Sequence, residues 1–173
     1  DEEGAIFGRM LTSAESLEGV DRAQLRDAIA RGLQNHDGHA RSDVSSIYAR
    51  LSFEELQPLL PAIRDAIVTP APSGEMFADG VRLNGLKVLA QHHVEEGMQA
   101  CADYLRTQNP WASEHRTPEI LEVLLRYGSH ARTVLSHLRE TAAAFAKGEP
   151  DFPRRLSEQK AAKKETKIHI NNQ

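Results

Sequence analysis

Apolar residues recur along this chain with the helical period. Phe53, Leu56, Leu60, Ile63 and Ile67 fall on one stripe, and Leu83, Leu86, Leu89 and Val94 on another. Met98, Ala102 and Leu105 continue the pattern, followed by Ile120, Leu121, Leu124 and Leu125. The last stripe is Val134, Leu135, Leu138, Ala142 and Phe145. No stretch alternates apolar and polar residues between hairpin turns, so the pattern predicts helices and no sheet.

Start and stop signals bound these stripes. Asp21 stands at an N-cap with Gln24 three residues on, flanked by Val20 and Leu25 at the staple positions. Ser52 and Glu55 repeat the arrangement, with Leu51 and Leu56 as staple, and Thr117-Pro118-Glu119 puts Pro118 at a first helical position. Asp37-Gly38 is expected to break the helix that follows Asp21. The run Thr69-Pro70-Ala71-Pro72-Ser73-Gly74 reads as a rigid loop, because each proline pushes its predecessor out of the helical region. Asn109-Pro110-Trp111-Ala112-Ser113 is a further loop, and Gly128 and Gly148 suit the left-handed position after a helix. Gly32, Gly85 and Gly97 fall inside helices, where they cost propensity and are expected to let helices approach closely. The helices then pair: residues 42–50 with 53–68, 81–92 with 94–107, and 117–127 with 129–147.

Leu86-Lys87-Val88-Leu89 and Leu121-Glu122-Val123-Leu124 lie 35 positions apart at the same place in their pairs. Self-similarity at a period of roughly 35 to 40 is a mark of helical solenoids. The Asp…Arg…Ala…Leu rhythm from Asp37 to Leu51 resembles HEAT-type repeats, as do Leu59-Leu60-Pro61-Ala62-Ile63 and the run from Gly128 to Leu135. The resemblance covers residues 21–147. It implies an all-α, HEAT/armadillo-like right-handed α-solenoid of paired antiparallel helices with a binding surface, and no catalytic residues. The opening Asp1-Glu2-Glu3, without a Met, is similar to HEAT-like regions inside larger bacterial multidomain proteins. The expected organisation is a helical-repeat domain over residues 1–150 and a basic, polar tail over 151–173.

Charge narrows the partners. The chain carries a formal net charge of −4, but residues 154–167 are net +4, which leaves −8 on the rest. A body acidic over its folded part is not built for nucleic acid. The basic run reads as a solvated linker, with an acidic partner or lipid surface as the alternative. No apolar run approaches the roughly 18 residues needed to span a bilayer, so membrane insertion is not expected. Cys101, the single cysteine, sits in a helical stretch and reads as a small buried hydrophobe.

The eight histidines invite metal readings. His36-Asp37 resembles the pair of HD phosphohydrolases, but that chemistry needs a histidine on an earlier helix, and none precedes His36. His92 and Glu96 are one turn apart, yet nothing in the sequence brings His115, His130 or His137 to them. Phosphate-loop and nucleophile-elbow patterns are missing. Neither a metal nor an organic cofactor is therefore expected. Trp111, with His115 and Arg116 nearby, is the candidate binding loop, since loop aromatics and arginine are enriched at interaction hot spots. The expectation is a non-catalytic module for protein–protein interaction or scaffolding. The alternatives are an accessory helical domain of a larger enzyme and a metal-dependent hydrolase using His36, Asp37 and His92.

Overall fold

A computed structural model of the chain describes Met10, residues 19–112 and residues 114–147; Gly148 and the expected tail over 151–173 lie outside these described residues. The chain divides into two units, Asp1–Leu135 and Ser136–Gln173. Among the described residues every regular element is helical, apart from an isolated parallel bridge between Asp37 and Ser73.

Helix α1 (Arg22–Leu33) starts where expected, because the Asp21 carboxylate accepts hydrogen bonds from the N–H groups of Ala23 and Gln24 at 2.9 and 3.0 Å. Helix α1 ends at the expected break before Asp37-Gly38, and the same dipeptide begins α2 (Gly38–Ser45), four residues before residue 42. Asp37 caps it by accepting from His39 N–H at 3.2 Å, and Gly38 N–H donates to Ser73 O at 2.9 Å. A Cβ on Gly38 would strike the Gly74 carbonyl, so this helix start is also the seam with the proline loop. Buried Arg41 fastens the same seam, donating to Asn35 O at 2.6 Å and Thr69 O at 2.9 Å.

The expected helix over residues 53–68 is segmented. A short α3 (Phe53–Leu56) carries the Ser52–Glu55 capping box, a 3₁₀ turn (Gln57–Leu59) follows, and α4 (Leu60–Val68) completes the run. Pro58 and Pro61 each lack the N–H that the ladder needs, so the break falls where they stand. A 3₁₀ turn (Glu75–Phe77) leads into α5 (Ala78–Gln91), which α6 (Glu95–Thr107) follows after three residues. So short a connection between contacting helices makes α5 and α6 antiparallel. Next come α7 (Thr117–Arg126), a 3₁₀ stretch (Gly128–Val134) and α8 (Leu135–Lys147). The last helix was expected from residue 129; its first turns are 3₁₀.

Helix α5 is the centre of the first unit. It packs against α2, α4, α6 and α7, and buries Val81, Leu83, Leu86, Val88, Leu89 and Ala90 around most of its circumference. Each of the valine and leucine side chains contributes about 1.5–3 kcal/mol when fully buried. The stripe on α7 differs from expectation. Ile120, Val123, Leu124 and Tyr127 are buried, while Leu121 is 42% and Leu125 79% exposed. Leu121 therefore does not share the environment of fully buried Leu86, its counterpart 35 positions earlier. Phe53 is also exposed, and on α8 Thr141 is buried where the stripe put Ala142.

Glycines set the helix spacing, as expected. A Cβ on Gly85 of α5 would lie 2.7 Å from Ile67 Cγ1 of α4. One on Gly97 of α6 would lie 2.7 Å from Leu89 Cβ of α5 and run into the Tyr127 hydroxyl. One on Gly32 would lie 2.6 Å from Val44 Cγ2.

Gly97→Ala should destabilise the chain by about 1–3 kcal/mol through overpacking, less up to about 1 kcal/mol of helix propensity. Gly80→Ala, whose Cβ would meet only Ser42 Oγ at 3.5 Å, should be neutral to stabilising. Urea midpoints at constant slope distinguish the two. Hydrogen bonding from Arg22, with support from Ser52, holds the Glu55 carboxyl at about 2 against the usual 4.5. A depressed carboxyl contributes stability above pH 4.5 and loses it as pH falls toward about 2. Glu55→Gln should flatten that limb of a stability-versus-pH curve; an unchanged slope would show that the pair contributes nothing.

Candidate interaction groove

Helices α4 and α6 flank α5, and an open groove of about 650 Å³ runs between them. The α4 wall presents Arg64, Ile67 and Val68, spaced i, i+3, i+4, so one helix face supplies all three. The α6 wall presents Glu96, Gln99, Ala100, Asp103 and Thr107, again a single face, with Tyr104 and Arg82 deeper in. Most of the surface is apolar, and Val68, 68% exposed, is its most open apolar side chain.

The placement of α6 follows from its two ends. At the α5–α6 connection, Val94 N–H donates to Leu89 O at 2.9 Å and His93 N–H to Ala90 O at 3.1 Å, which is the Schellman pattern. The residue in the left-handed position is His93 (φ 52°) rather than glycine. Histidine is among the side chains found there more often than most. Its Nε2 lies 3.2 Å from Arg126 O at the end of α7, and its ring is 5.5 Å from that of His130. Glu95 and Glu96 then occupy the first turn of α6, where the helix dipole favours acid. Gly97 seats the helix on Leu89, so that Met98, Cys101, Ala102 and Leu105 face inward. Burial pushes the Cys101 thiol up to about 12, which keeps it protonated and unreactive. The face opposite is the groove wall.

Polar side chains secure both ends of the groove. Arg64 reaches across from α4 to Glu96 at 2.9 Å. At the other end Asp79 is a hub: it accepts from the Tyr104 hydroxyl at 2.5 Å, and pairs with Arg82 at 3.4 Å and Arg116 at 3.5 Å. Arg82 also donates to Ile67 O at 2.9 Å and covers the Tyr104 ring at 4.5 Å. Burial, and then the bond to Asp79, raise the Tyr104 hydroxyl to about 12. This constellation holds helices together; each member is occupied by another.

The loop singled out from sequence meets the groove only in part. Arg116 joins it through Asp79 and also pairs with Glu119 at 3.4 Å. Its N–H donates to Gln108 Oε1 at 2.7 Å. Trp111 is 65% exposed, held through its backbone N–H to Asn109 Oδ1 at 3.0 Å, and His115 Nδ1 is buried without a hydrogen-bond partner. The histidines are scattered. The carbonyl of His36 accepts from Ser73, His39 stacks on Phe77 at 4.7 Å, and His92 packs against Phe53 at 5.1 Å. Among the described residues no three His, Cys, Asp or Glu side chains meet as a metal site, so His36, Asp37 and His92 are not drawn together as ligands. No helix among them is long and apolar enough to cross a membrane.

Sequence reading missed the groove residues. Only Val68, an apolar residue one step beyond the α4 stripe, hinted at a second face. No protein-family model, curated protein or solved structure matches this chain.

Trp111→Ala should shift the melting temperature by less than about 2 °C, since little packing is lost from so exposed a ring. A drop of several degrees in a calorimetric scan would instead make Trp111 a structural cover.

Proposed function

We propose that this chain is a non-catalytic helical module for protein–protein interaction, receiving its partner in the groove between α4 and α6. The observation that carries the reading is the groove itself. It is an open trough whose accessible surface is mostly apolar, with polar side chains along its α6 wall and ion pairs at its ends. Partner helices are commonly received in such grooves through apolar anchors one turn apart. The finer reading is a HEAT-like stack of hairpins within a larger protein. The antiparallel α5–α6 pair supports it, although α5 is enclosed by more than its sequence neighbours. In this reading Trp111, His115 and Arg116 form the rim beyond the Tyr104 end, linked to the groove by Asp79.

The test is a titration of isotope-labelled protein with an uncharged, leucine-striped helical peptide of about 14 residues. Amide shifts should concentrate in residues 64–68 and 96–107, and vanish in Ala100→Trp, which fills the trough from its half-exposed wall. Shifts centred on residues 108–116 would move the site to the loop. A peptide that perturbs nothing at millimolar concentration would sink the reading.

A further inference from the structure

We infer that the groove's partner is an amphipathic helix carrying a lysine or arginine that pairs with Asp103. This rests on the groove reading above and names the chemistry that groove selects.

Of the charged residues that line the trough, Arg64, Arg82, Glu96 and Asp103, only Asp103 has no ion-pair partner among the described residues. Arg64 is taken by Glu96, and Arg82 by Asp79, which Arg116 also contacts. Asp103, exposed on α6, accepts a 3.1 Å hydrogen bond from the Gln99 amide, and among the described residues no cation pairs with it. It lies beside Ala100 and Thr107 on the wall. A trough whose accessible surface is mostly apolar, with one unpaired carboxylate on its α6 wall, favours an apolar stripe bearing a cation at its edge.

The dimensions suit a helix. From Glu96 to Thr107 the α6 wall runs roughly 16 Å, about three helical turns. Its open length leaves one side of an occupant in solvent, as a docked helix has, whereas drug-sized ligands are mostly enclosed. Glu96 and Asp103 are seven residues apart, roughly 10 Å along the axis. The occupant's cation therefore lies about two turns from the end that abuts the Arg64–Glu96 pair.

The experiment compares two labelled peptides of about 14 residues by fluorescence anisotropy. They are identical leucine-striped helices except that one carries lysine at the position facing Asp103 and the other glutamine. The lysine peptide should bind about fivefold tighter at low salt, and Asp103→Asn should abolish that difference without weakening the glutamine peptide. Asp103→Lys with a glutamate peptide should restore the preference. Equal affinities that Ala100→Trp still eliminates would overturn the cation assignment and leave the groove reading standing. Binding that survives both Ala100→Trp and Val68→Arg would overturn both. A decyltrimethylammonium ion that binds below its micelle concentration, in a manner sensitive to Ala100→Trp, while neither peptide does, would make this a small-cation site and overturn the helix assignment. Circular dichroism confirms that each variant is folded.

Discussion

The first unit depends on how closely two helices can approach α5. Gly85 admits Ile67 of α4, and Gly97 admits Leu89 and the Tyr127 hydroxyl to α6. Side chains at either position would push a wall of the groove outward. Glycine is a poor helix former, so its use two turns into α5 and within the first turn of α6 is a local cost offset by tertiary contact. The same spacing leaves the far faces of α4 and α6 apart, and the gap is the groove. One constraint thus produces both the core and the concavity on its surface.

Connections reinforce this arrangement by hydrogen bonding rather than by apolar burial. Arg41 and Ser73 tie the loop after α1 to the loop after α4, which sets where α4 ends and α5 begins. His93 in the left-handed conformation turns the chain between α5 and α6 and reaches the α7 terminus. Asp79 links α5 to α6 and to the start of α7 through Tyr104 and Arg116. Satisfied backbone and charged groups are costly to leave unpaired, so these contacts specify position more than they add stability. For the proposed partner, a trough with such anchored walls would need little further ordering on binding.

In the proposed role the chemistry of the site is that of recognition. Cys101 is held protonated by burial, Tyr104 is engaged by Asp79, and the histidines serve turns, ring contacts and caps. What distinguishes the groove is the contrast between mutually neutralised charges at its ends and the lone carboxylate of Asp103 on its wall. In the proposed role the apolar surface would supply affinity with little direction, and the unpaired charge register.

Local physics made much of the fold readable. The caps at Asp21 and Ser52, the proline start of α7, the left-handed Gly128 and the burial of Cys101 each depend on a few adjacent residues, so the sequence by itself determined them. The roles of Gly32, Gly85 and Gly97 as contact points were equally legible, because a helix tolerates glycine at some cost only where packing rewards it. Other features required the third dimension. Asp37 follows the expected break and also caps a helix, because Gly38 docks against the proline loop. The face of α7 turned so that Val123 and Tyr127 replaced Leu121 and Leu125 inside, a choice that the period allows either way and that neighbouring helices decide. The groove is the clearest case: Val68, Ala100 and Asp103 look like ordinary surface positions along the chain. Only the joint seating of α4 and α6 on α5, through contacts between residues far apart in sequence, makes them one site.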